Sequence, residues 1–171
     1  RFGNAGQSCV AAKRFIVVDE IAEKFVQLLV EQAAMLVVGD PTGPGTTMGP
    51  LVRADLRDQL LDQVRRSLAE GAVPVIGGAA IVAPGNFVEP TILDQVVPGM
   101  TAFTEETFGP LAAVIRARDD DHAVELANDT DFGLSASIWG ETEHALAVGR
   151  RIRSGALFVN AMTASDPRLP F

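Results

Sequence analysis

The sequence predicts an α/β fold, a layered domain with a largely parallel sheet flanked by helices. Two observations carry that expectation. Short β-branched runs alternate with longer segments whose apolar residues recur at helical spacing. Apolar residues also make up 47% of the chain, at a length able to bury roughly 70% of the unfolded surface in one core.

The elements follow in order. Lys13 to Val18 (KRFIVV) is short and β-branched and reads as a strand. Asp19 stands as a helix cap, and Ile21, Phe25, Leu28, Leu29 and Leu36 follow at helical spacing until Gly39-Asp40-Pro41 ends the helix. A Gly/Pro loop runs to Gly49-Pro50. Leu56, Leu60, Leu61, Val64 and Leu68 form a second amphipathic helix closed by Gly71. Val73 to Ile76 is a strand, and Gly77-Gly78 and Pro84-Gly85 bracket a hairpin-like excursion. Phe87 to Leu93 reads as extended, with Pro90 placing it at an edge or a bend because proline cannot donate to a ladder. Leu111 to Arg116 is a strand. Asp119, Asp120 and Asp121 crowd the front of the next helix, which runs to about Asn128, where acid complements the macrodipole. Leu134 to Trp139 is a strand, Glu141 to Arg151 a helix, and Ala156 to Asn160 the last strand. No repeat, low-complexity tract or internal domain boundary interrupts this series.

Composition excludes several function classes. The net charge is −8 and no Lys/Arg stripe is present, which argues against nucleic acid and against an anionic membrane surface. No stretch reaches the roughly 18 apolar residues of a membrane helix, and no signal-like start is visible. The single cysteine rules out an internal disulfide and a multi-cysteine zinc site. His122 and His144 lie far apart on predicted helix surfaces, and Asp119 to Asp121 have no further ligands at useful spacing, so no metal site is expected. Gly77-Gly78 lacks the spacing of a dinucleotide fingerprint. The composition suits a reducing, cytoplasmic setting. The chain opens on Arg1-Phe2-Gly3-Asn4 without a Met and stops at Pro170-Phe171, so it reads as a fragment of a longer chain.

The chemistry concentrates at Cys9. Asn4-Ala5-Gly6-Gln7-Ser8-Cys9 is small and polar and feeds into Val10-Ala11-Ala12, a pattern that suits a tight loop leading into a helix start. There a thiol would meet the positive helix end and unpaired N–H groups suited to an oxyanion, with Lys13 and Arg14 adding positive potential. On that reasoning Cys9 is a candidate nucleophile. The competing reading is a buried thiol acting as a small hydrophobe.

Three segments tip the balance. Phe2 to Val17 (FGNAGQSCVAAKRFIV) carries Gly6, Gln7 and Cys9 in a G-Q-x-C pattern. Glu105 to Pro110 reads E-E-T-F-G-P. Gly155, Val159, Asn160, Pro170 and Phe171 fit a G-x-x-x-V-N strand leading into a P-F loop. In this order the three resemble hallmark motifs of the aldehyde dehydrogenase superfamily, across all 171 residues.

The resemblance implies that residues 1–171 are the cysteine-bearing catalytic domain, lacking the cofactor-binding domain. It implies NAD(P)-dependent oxidation of an aldehyde to a carboxylic acid through a thiohemiacetal and a thioester on Cys9. It also implies NAD or NADP as cofactor, with Glu106 accepting from the nicotinamide ribose and Phe108 packing beside it. Asn160 organises the active-site neighbourhood, Phe171 lies near the substrate tunnel, and Glu105 is a loop carboxylate. The general base and the oxyanion Asn belong to segments before the cysteine motif and cannot be placed here. The partners implied are a small-molecule aldehyde, the missing cofactor-binding domain of the same chain and, at full length, further copies in a homo-oligomer. Gln7-Ser8-Cys9 with AAKRFIV, and the run from Ala164 to Phe171, are similar to succinate-semialdehyde dehydrogenases. Two alternatives stay open: a coenzyme A-acylating or phosphate-reducing relative using the same cysteine, and a non-enzymatic α/β assembly domain with an inert Cys9.

Overall fold

A computed structural model describes residues 1–168. The chain forms strands β1 (Arg14–Val18), β2 (Val73–Ile76), β3 (Thr91–Asp94), β4 (Leu111–Ala117), β5 (Ala136–Ile138) and β6 (Leu157–Val159). Its helices are α1 (Asp19–Ala34), α2 (Ala54–Ala69), α3 (Thr101–Thr104), α4 (Asp120–Asn128) and α5 (Thr142–Gly149). The main sheet has the order β1-β4-β3-β2, parallel except for the antiparallel β2 edge. β5 and β6 pair in parallel as a separate two-stranded sheet. The predicted α/β class with a largely parallel sheet is the observed one.

β4 organises the core because it has a strand on each side and a buried layer on each face. Successive side chains of a strand point to opposite faces. Leu111, Ala113, Ile115 and Ala117 therefore share one cluster with Leu60 and Val64 of α2 and Leu126 of α4. Ala112 and Val114 join the other cluster, with Ala22, Val26 and Ala33 of α1. The near-continuous apolar run of β4 is what a strand buried on both faces requires. Arg116 turns its guanidinium to the buried Asp94 at 2.6 Å and to Glu23 at 2.6 Å, so its charge is compensated from β3 and α1.

Helix ends follow local chemistry. Asp119 caps α4 by accepting from the His122 N–H at 2.8 Å. Glu141 accepts from Glu143 N–H and His144 N–H at the front of α5. Arg14 donates to the carbonyls of Leu126 and Ala127 at 2.9 and 3.0 Å, closing the C-terminal end of α4 from β1.

Three local expectations are corrected. Asp19 is not a cap: it is the first residue of α1, Val18 holds the cap position, and no side chain caps there. Of the edge or bend expected at Pro90, the edge is not observed. Pro90 precedes β3, which lies between β2 and β4, so the missing N–H costs the ladder nothing. The residues after Cys9 form no helix; they turn, with the Ala11 N–H donating to Ser8 O at 3.1 Å, and pass into β1. No described helix is long and apolar enough to cross a membrane.

Replacing fully buried Leu93 with Ala should cost about 2–5 kcal/mol. Replacing fully exposed Val82 with Ala should change stability by less than about 0.5 kcal/mol. Chemical denaturation of both variants checks the contrast, and equal losses would contradict the assignment of the core.

Candidate active site

The register of two parallel strands assembles the site. Arg14 of β1 is opposite Ala113 of β4. Cys9 stands five residues before the first and Phe108 five residues before the second. Because β1 and β4 run the same way, their preceding loops emerge at the same end of the sheet. A cysteine near the start of the chain and an E-E-T-F-G-P loop beyond its middle thus become neighbours.

The loops then pack backbone against backbone. Asn4, Ala5 and Gly6 all have positive φ, of 51°, 52° and 73°. A Cβ on Gly6 would fall inside van der Waals contact with the Gly109 carbonyl, and a Cβ on Gly109 would overlap the Leu60 side chain. Glycine at 6 is what lets the two loops approach, and glycine at 109 lets the second loop lie against Leu60 of α2. The Arg1 guanidinium staples them further. It donates to Leu111 O at 2.7 Å, to Ala11 O at 3.1 Å, to Thr107 O at 2.6 Å and to Gly109 O. Burial lowers its pKa to about 10, with Glu106 opposing that shift.

Other segments hold each loop from behind. Gln7 accepts from the Val52 N–H at 2.9 Å and donates to Asn4 O at 3.0 Å, fastening the cysteine loop to the 50–52 segment. Thr163, beyond β6, donates to Val10 O at 2.7 Å and brings the third motif's segment to the same place. Asn160 ends β6 in the left-handed region, and its amide exchanges two 3.0 Å hydrogen bonds with the Gly140 backbone. On the other loop, buried Gln63 of α2 donates to Glu105 Oε2 at 3.0 Å and to Glu106 O at 3.1 Å. Arg66 binds Glu105 with two hydrogen bonds, at 2.7 and 2.9 Å, holding that carboxyl below its ordinary range. Glu105 is thereby occupied, and Glu106 is left facing outward.

Cys9 is exposed, so it is not a buried thiol. The Glu106 side chain is 45% exposed and Phe108 is 39% exposed. Between them lies Lys13. Its Nζ is 3.5 Å from Glu106 Oε1, 3.4 Å from each of the Ser8, Cys9 and Ala11 carbonyls, and 5.5 Å from the Phe108 ring centre. Burial and the Arg1 charge lower the Lys13 pKa, while Glu106 and Cys9 raise it. The positive charge that the sequence reading assigned to a helix end comes instead from this side chain. Sequence reasoning treated Lys13 only as general potential and gave no role to Arg1, Gln63 or Arg66. Gln63 had one signal, a polar residue on the α2 face that also carries Leu60 and Val64.

A half-exposed carboxylate beside an exposed aromatic face suits a ribose and the ring attached to it. Glu106 and Phe108 both remain partly open to solvent beside Lys13. Phe171 lies outside the described residues. His144 pairs with Asp120 at 2.8 Å, on the helices away from this loop pair. No group of acidic, His and Cys side chains able to hold a metal is present among the described residues.

The aldehyde dehydrogenase family model matches residues 1–171. The chain belongs to the aldehyde dehydrogenase family. It is 47% identical over 172 residues to a succinate semialdehyde dehydrogenase [NAD(P)+] of Escherichia coli K12, covering 100% of this chain and 37% of that protein. It is 46% identical over 175 residues to a succinate-semialdehyde dehydrogenase [NADP(+)] of Mycobacterium ulcerans, covering 100% and 38%. The structure superposes on the succinic semialdehyde dehydrogenase of Streptococcus pyogenes, solved with NADP+, with a TM-score of 0.94 and 38% identity over 99% of this chain and 38% of that one. The chain therefore spans a little over a third of the length of these aldehyde dehydrogenase relatives.

Two outcomes follow from the geometry. Gly6→Ala should destabilise the protein more than Gly45→Ala. Both glycines have positive φ, which costs about 1–2 kcal/mol for a residue with a Cβ, but only the Gly6 Cβ meets backbone. Thermal unfolding of the pair checks this, and equal losses would refute the close approach. The Arg66 ion pairs act where their carboxylates are charged. The Glu105 and Asp62 pKa values are lowered, so their contribution is present above the unfolded carboxyl values and is lost as pH falls through the folded ones. The stability gap between the parent and Arg66→Met should be widest near neutrality and close in acid; a gap that ignores pH would be inconsistent.

Proposed function

We propose that this chain is the cysteine-bearing part of an NAD(P)-dependent aldehyde dehydrogenase, with Cys9 as nucleophile and succinate semialdehyde as substrate. The observation that carries the reading is the convergence of an exposed Cys9 with Glu106 and Phe108 at one end of the sheet. The named activities of relatives up to 47% identical support the substrate class. NADP appears in the name of the mycobacterial relative and in the Streptococcus structure, and NAD(P) in that of the Escherichia coli relative.

The chemistry runs through the chain's own groups. The Cys9 thiolate adds to the aldehyde carbon and forms a thiohemiacetal. The Cys9 N–H donates to no group among the described residues, so it is available to the oxygen that becomes anionic in that step. The bound cofactor supplies the acceptor for the hydride that must leave the carbon. Glu106 would accept from the ribose hydroxyls and Phe108 would pack beside the ribose and nicotinamide, holding the cofactor that supplies the hydride acceptor. The thioester left on Cys9 is hydrolysed to the acid by water, which returns the thiol.

A nucleophile of this kind must remain a reduced thiol, which fits a reducing, cytoplasmic setting. The full-length enzyme is proposed to work there as a homo-oligomer. Residues 1–171 carry the nucleophile with only part of the cofactor site. By themselves they should give no steady NADH or NADPH production from succinate semialdehyde.

In the full-length chain, Cys9→Ser should lower turnover by about a thousandfold or more, with folding unchanged by circular dichroism, since a hydroxyl at neutral pH is a far weaker nucleophile than a thiol. Glu106→Gln should raise the cofactor KM and slow alkylation of Cys9 little. A Cys9→Ser enzyme that retains wild-type turnover would overturn the assignment.

A further inference from the structure

We propose that Lys13 is a positioning residue that couples the cysteine loop to the cofactor-facing side chains, an inference resting on the dehydrogenase reading above. Its ammonium is the one described cation that reaches both the cysteine turn and the Glu106 carboxylate. On one side it lies 3.4 Å from the carbonyls of Ser8, Cys9 and Ala11, the turn that presents the thiol. On the other it lies 3.5 Å from the Glu106 carboxylate and over the Phe108 ring.

The kind of contact matters. Each of these distances is long for a tight hydrogen bond, so no single partner captures the ammonium. It is instead shared among four oxygens and a ring face. A lysine suits that task, because its compact charge with three rotatable donors can serve several acceptors at once, whereas a guanidinium fork favours one planar partner. The Lys13 side chain is only 20% exposed, so its charge is partly desolvated and its attraction to Glu106 is screened less than on an open surface. The loose pair at 3.5 Å leaves the Glu106 carboxylate oriented while keeping lone pairs for ribose hydroxyls. Glu105, which could compete for the same cation, is taken up by Arg66 and Gln63. Arg1, the other nearby cation, spends its donors on backbone carbonyls.

Loss of the ammonium therefore affects both cofactor-facing side chains through one residue. A merely structural lysine would instead move stability and every kinetic constant together. The test uses the full-length enzyme with succinate semialdehyde and NADP+ or NAD+, comparing Lys13→Met, Lys13→Arg, Glu106→Gln and the Lys13→Met/Glu106→Gln double variant. Lys13→Met keeps the aliphatic stem and should raise the cofactor KM about fivefold to tenfold, with kcat changed less than threefold and the melting temperature nearly unchanged. Lys13→Arg should recover part of that KM. In the Glu106→Gln background the Lys13→Met effect should shrink to less than twofold, since the two residues act as a pair.

An unchanged cofactor KM in Lys13→Met would overturn the proposal, as would a full additive effect in the double variant. So would a parallel fall of kcat, KM and melting temperature that Lys13→Arg does not relieve. Should Lys13→Met fail to fold, Lys13→Gln takes its place in the same cycle. Turnover of Cys9→Ser and cofactor KM of Glu106→Gln, measured alongside, separate failure of this coupling from failure of the dehydrogenase reading. If both respond as expected while Lys13→Met is silent, only the coupling falls.

Discussion

Everything at this site depends on one backbone contact, Gly6 lying against Gly109. Two loops separated by about a hundred residues meet there without a side chain between them. A Cβ at Gly6 would push the cysteine turn away from the loop that carries Glu106 and Phe108, and a Cβ at Gly109 would push that loop off Leu60 of α2. The Arg1 guanidinium reinforces the contact by giving its donors to carbonyls from both loops. Charge-assisted bonds to these carbonyls offset part of the cost of burying that cation.

The sheet supplies the rigidity behind that contact. β1 and β4 are parallel neighbours, so their entering loops share one end, and β4 is clamped between α1 on one face and α2 with α4 on the other. α2 also works as a fixture for the second loop, with Gln63 and Arg66 tying down Glu105 and the backbone of Glu106. The Glu106 side chain stays half-exposed, with only the loose pair to Lys13. Open parallel sheets more often bind ligands at the carboxyl ends of their strands. Here the candidate residues gather at the amino ends, because the motifs precede their strands.

Much of the fold was legible in the chain. β2 was read at its observed bounds, β4 and α4 to within a residue or so at their ends, and the acid at the front of α4 was read correctly because apolar period and capping chemistry are local properties. The helix assigned after Cys9 was wrong for a definable reason. Val10-Ala11-Ala12 is apolar enough to begin a helix, but the β-branched run from Arg14 follows too closely, and pairing with β4 draws it into the sheet. α3 went unseen because four residues make no periodic signal. The division into two sheets was equally invisible, since strand partners are chosen by packing across distance and not by local sequence.

At the site, the order of motifs by itself determined the family, the nucleophile candidate and the two residues proposed to face the cofactor, because those are matters of residue type and spacing. Only the tertiary structure decided what surrounds them. It showed Cys9 exposed, replaced a supposed helix dipole with the ammonium of Lys13, and showed Glu105 taken up by Arg66 and Gln63. Such distinctions rest on contacts between residues far apart in the chain. Their strengths follow distance and burial, and neither is set until the parallel strands have brought the loops together.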